Sequence, residues 1–189
     1  MSAAARNLLA MTDLAWATLS SPVGPLAVAC SPAGLARVSF RATRRPAARP
    51  GRADPGRDRM LATARDQLAE YFAGQRQVFD LPVDWSGTSA AQRQVLGVLL
   101  GSVGFGETVT YGQLAQRAVA GPDGIPLPAR AIGGIMGSNP IPVIVPCHRV
   151  VAGNGLGGYS GGTGIEVKRW LLIFEGALPA TLDWTPAGI

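Results

Sequence analysis

Cys147 and His148 stand side by side, and they are one of two cysteines and the single histidine in 189 residues. A thiol reacts as its thiolate, and an imidazole beside it can take the proton or, as imidazolium, lower the thiol pKa. The approach is Pro140-Ile141-Pro142-Val143-Ile144-Val145-Pro146, in which three prolines each fix φ and remove an N–H donor. Such a segment cannot continue a helix. It reads as a stiff, extended arm that delivers a thiol and an imidazole to one place. Taken alone, the pair also fits a small buried cysteine beside an incidental histidine, so its flanks have to decide.

Other thiol and metal chemistry is disfavoured by the same counts. Cys30 sits in the apolar run Leu26-Ala27-Val28-Ala29-Cys30 and reads as a core residue. Two cysteines far apart in the chain and one histidine make neither a disulfide framework nor a zinc site. The glycine-rich run from Ala152 to Gly162 lacks the Lys-Ser/Thr ending of a phosphate loop, and no G-x-G-x-x-G joins a strand to a helix, so no nucleotide cofactor is expected.

The chain is 47% hydrophobic and 15% charged, which excludes a disordered or solvating protein. No apolar run is long enough to cross a bilayer, and residues 1–11 read as a tail rather than a signal peptide, so a cytoplasmic location and no membrane partner are expected. The net charge is +5, carried by arginines, with Lys168 the only lysine. Arginine suits phosphate because its planar fork meets two oxygens at once. Much of the excess lies between Arg41 and Arg59, where a solvated linker would serve equally well.

The elements that must position the pair follow from periodicity and turn chemistry. Asp13 to Ser20 reads as an edge strand, and Leu26–Ala29 and Leu35–Phe40 as a hairpin around Ser31-Pro32-Ala33-Gly34. Residues 41–58 form a loop rich in Arg and Pro, expected to be mobile. A helix runs from Arg57 to Gly74, with Leu61, Ala64, Leu68, Tyr71 and Phe72 on one face, and Val78 to Trp85 is a further strand. Three capping boxes follow, Ser89 with Gln92, Thr110 with Gln113 and Thr163 with Glu166, each before a helix-like run. They predict helices over 89–103, 110–120 and 164–175, with a short one over Ala129–Gly137. The fold class is α+β: a small N-terminal β-meander plus helix domain (12–86), then a mainly helical C-terminal domain (87–178) and a tail (179–189).

The helices at 110–120 and 129–137, joined by a Gly/Pro turn at 121–128, have the outline of a helix-turn-helix. The second carries Gly133, Gly134 and Gly137, each costing about 1 kcal/mol relative to Ala in a helix. A helix tolerates that where something approaches its backbone, a DNA groove wall or a tightly packed neighbour. Ser138-Asn139-Pro140 then stops the helix.

Pro146-Cys147-His148-Arg149-Val150-Val151, preceded by Asn139-Pro140 and followed by Tyr159-Ser160-Gly161-Gly162, resembles the O6-alkylguanine-DNA alkyltransferases, the methylated-DNA–protein-cysteine S-methyltransferases. The likeness runs from about Ser89 to Gly176 and includes Phe105-Gly106-Glu107-Thr108-Val109-Thr110-Tyr111 and Ala129-Arg130-Ala131-Ile132-Gly133. The first 86 residues resemble the family's variable N-terminal domain in layout only.

The resemblance implies a monomeric enzyme that acts once, in direct-reversal DNA repair, with no cofactor and no metal. Its partner would be double-stranded DNA containing O6-alkylguanine, met through the minor groove. Cys147 would accept the alkyl group from a flipped-out base. His148 would act as base through a bridging water, since side chains adjacent in an extended arm point apart, and Glu175 would orient the histidine. Asn139 would brace the turn before the arm. Tyr111 would help rotate the nucleotide and donate to the leaving base, and Arg130 would fill the gap in the stack. The carbonyls of Cys147 and Val150 would read the guanine amine, with Tyr159 and Ser160 closing over it. Gly133 and Gly134 would let the helix enter the groove, and Lys168 matches a family position near the site. Arg149 stays open between a structural ion pair and a phosphate contact.

Two features depart from the family pattern. The turn at 121–128 is longer than expected, and Gly137 stands where relatives often carry a basic residue. The competing readings are an alkylation-damage binding or sensing protein without transfer and, with less support, a thiol hydrolase.

Overall fold

The computed structural model describes residues 14–40, 54–119 and 127–180. The expected tail at 1–11, most of the 41–58 loop, the turn at 121–126 and the end of the chain from 181 lie outside the described residues. The chain divides into two compact units, Met1–Thr88 and Ser89–Ile189.

The first unit is built on a three-stranded antiparallel sheet in the order β1 (Ala15–Leu19), β2 (Leu26–Ser31), β3 (Gly34–Ser39). All six residues of β2 are buried, which accounts for Cys30 as core. Helix α1 (Pro55–Phe72) packs Ala64, Leu68 and Tyr71 inward. It begins inside the stretch expected to be loop, because Asp54 caps it, accepting from the N–H groups of Gly56 at 2.9 Å and Arg57 at 3.2 Å. Pro55 sits in the first turn, where its missing N–H costs nothing.

The strand expected over Val78–Trp85 does not form. Only a parallel bridge between Leu35 and Val83 survives, held by Leu35 N–H to the Pro82 carbonyl at 2.8 Å and Asp84 N–H to the Leu35 carbonyl at 2.9 Å. Pro82 has no N–H to continue a ladder.

The second unit holds α2 (Ala90–Ser102), β4 (Val109–Thr110), α3 (Tyr111–Arg117), α4 (Ala129–Gly137), a 3₁₀ turn (Cys147–Arg149), β5 (Val150–Val151) and α5 (Ile165–Phe174). Strands β4 and β5 pair in parallel, Val109 opposite Val150. That short ladder sets Tyr111 beside the segment that follows Cys147. The core includes Leu96, Leu99, Leu114, Ile132, Ile141, Leu171 and Leu172, and every residue from Ile141 to Val150 is buried. The capping boxes of Ser89 with Gln92 and Thr110 with Gln113 are both closed.

Two expectations fail here. The Cys-His segment is not extended: it is a 3₁₀ turn, with Arg149 N–H donating to the Pro146 carbonyl at 2.9 Å. The third capping box does not form. Gly164, at φ 81°, caps α5 without a side-chain bond, so the helix starts one residue late and Glu166 falls at its second position, out of reciprocal register with Thr163. Among the described residues no helix is long and apolar enough to cross a membrane.

The caps give a paired expectation. Thr110→Ala lowers stability by about 1 kcal/mol, the usual cost of a lost cap, whereas Thr163→Ala stays within about 0.5 kcal/mol as an ordinary surface change. Urea unfolding of the two variants checks this.

Candidate active site

The arm into the site is held by one side chain. Asn139 donates from Nδ2 to the Val145 carbonyl at 2.9 Å and accepts from Ile141 N–H at 3.0 Å on Oδ1. The loop it spans contains Val143 at φ 74°, a region a β-branched residue rarely occupies. Conformations of that kind cost about 1–3 kcal/mol and persist where the surroundings over-determine them. Here the surroundings are the buried Ile141, Ile144 and Val145.

Cys147 ends the arm, 5% exposed. It opens on a cavity of about 440 Å³ lined by Tyr111, Gly133, Met136, Gly137, Gly158, Tyr159 and Ser160. Burial pushes the thiol pKa up, while hydrogen bonding from Asn139 and Tyr159 and the positive charge of Lys168 pull it back. The thiol is therefore protonated at neutral pH and needs a base to react.

Behind Cys147 lies a closed charged cluster. His148 Nε2 is 2.9 Å from Glu175 Oε1, and both side chains are wholly buried. Arg149 grips the same carboxylate in a fork, Nε to Oε2 at 2.8 Å and Nη2 to Oε1 at 3.0 Å, and spends Nη1 on the Val103 carbonyl at 2.8 Å. Burial alone would raise the Glu175 pKa, but the bonds and charges of His148 and Arg149 outweigh it and hold the carboxyl at about 2. Burial lowers the His148 pKa against the pull of Glu175, so the imidazole is neutral near pH 7. With Nε2 directed at a carboxylate, the proton of the neutral ring is assigned to Nε2, which leaves Nδ1 as the acceptor. Nδ1 is buried and has no hydrogen-bond partner among the described residues.

Arg149 thus resolves as a structural ion pair, and the phosphate contact is overturned. Lys168 is also turned inward. It is fully buried, its Nζ donates to the carbonyls of Val150 at 2.6 Å and Gly158 at 3.2 Å, and it lies 5.9 Å from the centre of the Tyr111 ring. Burial lowers its pKa to about 8. The Val150 carbonyl, expected to read a base, already accepts from Lys168, so a base amine would share its second lone pair. Burial also raises the Tyr111 pKa, and the phenol lies 3.5 Å from the Gly158 carbonyl.

The structure thus brings Cys147, Tyr111, Tyr159, Ser160 and Gly133 around one cavity, while Asn139 and Lys168 do not line it and reach it only through the backbone they hold. His148 and Glu175 sit behind it. Arg130 and Gly134 are exposed on α4 and do not line the cavity. A Cβ added at Gly133, Gly134 or Gly137 would meet nothing within 4 Å, so packing inside the protein does not call for these glycines. Gly157 is different: at φ 69°, its Cβ would sit 2.9 Å from the Tyr111 ring. Sequence reasoning missed that contact, the Met136 side of the cavity and Glu175 as the partner of the Arg149 ion pair, none of which has a local pattern to betray it. Among the described residues no group of His, Cys, Asp and Glu could hold a metal ion.

Comparison with known proteins gives two family matches. Residues 90–177 match the 6-O-methylguanine DNA methyltransferase DNA binding domain, and residues 14–85 match the 6-O-methylguanine DNA methyltransferase ribonuclease-like domain. A methylated-DNA–protein-cysteine methyltransferase of Mycobacterium tuberculosis is 40% identical over 160 residues, covering 84% of this chain and 90% of the relative. One from Mus musculus is 58% identical over 85 residues, 44% of this chain and 37% of its own length. A solved structure of Mycobacterium tuberculosis OGT in complex with DNA superposes with a TM-score of 0.68 at 38% identity, over 86% of this chain and 92% of that one.

The buried cluster makes stability fall in acid. Glu175 is held at about 2 against an ordinary 4.5, and His148 lies below 6.5. In both cases the unfolded chain binds protons first, so their contribution is full above the ordinary values and is lost as pH falls through the folded ones. The urea midpoint should drop steadily below about pH 6.5, the free histidine value. Glu175→Gln, which strands the Arg149 charge, should cost about 3–5 kcal/mol at pH 7.

Proposed function

The chain belongs to the 6-O-methylguanine DNA methyltransferase family, and from that premise we propose that it repairs alkylated DNA by moving the alkyl group of an O6-alkylguanine onto Cys147, once per molecule. One observation carries this reading: a buried thiol at the edge of a cavity of about 440 Å³, backed by an imidazole pinned to a buried carboxylate.

Duplex DNA meets α4 from the minor groove. The open faces of Gly133 and Gly134 admit the backbone, and Arg130, in the exposed first turn, takes the place of the extruded nucleotide. Extrusion costs a few kcal/mol and is cheapest for a damaged, weakly paired base. The base enters between Tyr159 and Ser160 on one side and Met136 on the other, with Tyr111 at the rim. The Ser160 hydroxyl donates to the Gly137 carbonyl at 3.1 Å, which ties the closing loop to the DNA-facing helix.

The thiol proton passes through a bridging water to His148 Nδ1, while Glu175 holds the ring through Nε2. The Cys147 sulfur attacks the alkyl carbon, the S–C bond forms as the C–O6 bond breaks, and the electron pair withdraws onto the guanine. Tyr111 donates to the base as it leaves. The proton given up by sulfur balances the one guanine regains, so no cofactor is consumed. Asn139 fixes the angle at which the sulfur arrives, and Lys168 holds the Val150 and Gly158 carbonyls in place. The thioether has no leaving group to release, which limits the protein to one event.

The test is to mix the protein with a duplex containing O6-methylguanine and weigh it. One methyl group gained per molecule, on the peptide holding Cys147, is the expected result. Continued product release beyond one equivalent contradicts the mechanism. An unchanged mass with tight DNA binding supports the damage-binding alternative. Cys147→Ser should abolish transfer and leave duplex affinity within about threefold, since affinity rests on phosphate contacts and falls with salt.

A further inference from the structure

The loop that closes the Cys147 cavity begins with Ala152-Gly153-Asn154-Gly155, and the contrast between Asn154 and Asn139 gives it chemical meaning. An asparagine amide is attacked by the backbone nitrogen of the following residue when that nitrogen carries a proton to lose and the backbone can bend. Asn139 is followed by Pro140, which has no N–H, and both ends of its amide are held by the Val145 carbonyl and Ile141 N–H. Asn154 is followed by glycine, the residue with the least steric restriction. Both Asn154 and Gly155 are exposed, and the Asn154 side chain makes no hydrogen bond among the described residues. The Gly155 N–H is engaged only by a 3.5 Å contact to the Ala152 carbonyl, at the limit of a hydrogen bond.

We propose that Asn154 is a self-modification site, converted by deamidation to aspartate and isoaspartate, and that the conversion perturbs the wall of the Cys147 cavity. The Gly155 nitrogen, having lost its proton, bonds to the Asn154 side-chain carbonyl carbon. Ammonia leaves and a succinimide forms. Water then opens the ring at one of its two carbonyls, giving aspartate or, with one more backbone carbon in the turn, isoaspartate. No oxidation or cofactor is involved.

The turn is closed by Ala152 N–H to the Gly155 carbonyl at 3.0 Å, and two residues further on Gly157 sits against Tyr111. Gly158 then offers its carbonyl to Lys168 and lines the cavity. A lengthened backbone at 154 therefore displaces the segment that packs on Tyr111 and Lys168. This second half of the proposal rests on the alkyl-transfer reading.

The experiment ages the full chain at pH 6 and pH 9, digests it and follows the peptide that spans Asn154. Exchange of ammonia for water at Asn154, faster at pH 9 and with isoaspartate detected, is expected, while Asn139 stays intact. Gly155→Ala fits, because a Cβ there meets nothing within 4 Å and the residue is not at positive φ. By restricting the backbone of residue 155 it should slow conversion roughly tenfold. An unconverted peptide, or a Gly155→Ala variant that converts as fast as the parent, overturns the site. The aged, isoaspartate-rich fraction should then transfer methyl groups from the O6-methylguanine duplex several-fold more slowly than fresh protein. An equal rate overturns the link to the cavity. Fresh protein that transfers nothing refutes the alkyl-transfer reading and leaves the peptide result standing.

Discussion

A carboxylate sealed from water organises this protein's second unit. Removing Glu175 from solvent is affordable only if both oxygens are matched, because an unpaired buried charge costs several kcal/mol. His148 and Arg149 supply the match, and they are neighbours in the chain, so they must turn to reach one group together. The 3₁₀ turn at Cys147–Arg149 is the geometry that does this, and it explains why a proline-stiffened arm ends in a tight coil. The same demand reaches outward. Arg149 spends its remaining fork on the Val103 carbonyl at the end of α2, and Gly106 passes so close to the Glu175 carbonyl that a Cβ would sit 2.9 Å away. Fixing one carboxylate thus fixes the ends of two helices, the turn between them and the orientation of the imidazole.

A second constraint acts on the cavity side. Cys147 is 5% exposed yet still lines the cavity. Lys168 buries a cation whose three protons have carbonyls and an aromatic face to meet. It holds the glycine-rich loop against β5 and adds positive potential near sulfur. The cost appears in its lowered pKa. Small residues do the complementary task on α4, where glycines leave backbone exposed that the protein's own packing never uses.

How far the site could be read in the sequence depended on the range of each interaction. The Cys-His pair, the Asn-Pro stop and the boxes at Ser89 and Thr110 are local, and their physical meaning is set within a few residues. Val78–Trp85 alternates like a strand, yet Pro82 removes the N–H a ladder needs, so alternation alone misled. Thr163 and Glu166 have the spacing of a box, but a glycine at positive φ between them moved the helix start by one. The Arg149–Glu175 fork spans 26 residues, and the two-residue parallel ladder of Val109 and Val150 is too short to leave a pattern. Those contacts exist only once the core has formed. Reading Cys147–His148 as extended failed for the same reason: the turn answers to Glu175, not to its own residues.

The role proposed for the buried Glu175 is to make His148 the base for Cys147. The direct measurement is the single-turnover rate of methyl transfer from an O6-methylguanine duplex as a function of pH, for the parent and for the double variant Arg149→Met, Glu175→Gln, which leaves no stranded charge. Circular dichroism verifies that the variant is folded. The parent rate should hold near neutral pH and fall in acid as His148 becomes protonated, and the folded variant should be slower by about a hundredfold, the scale of a positioned general base. A folded double variant that transfers at the parent rate across the pH range would contradict the claim.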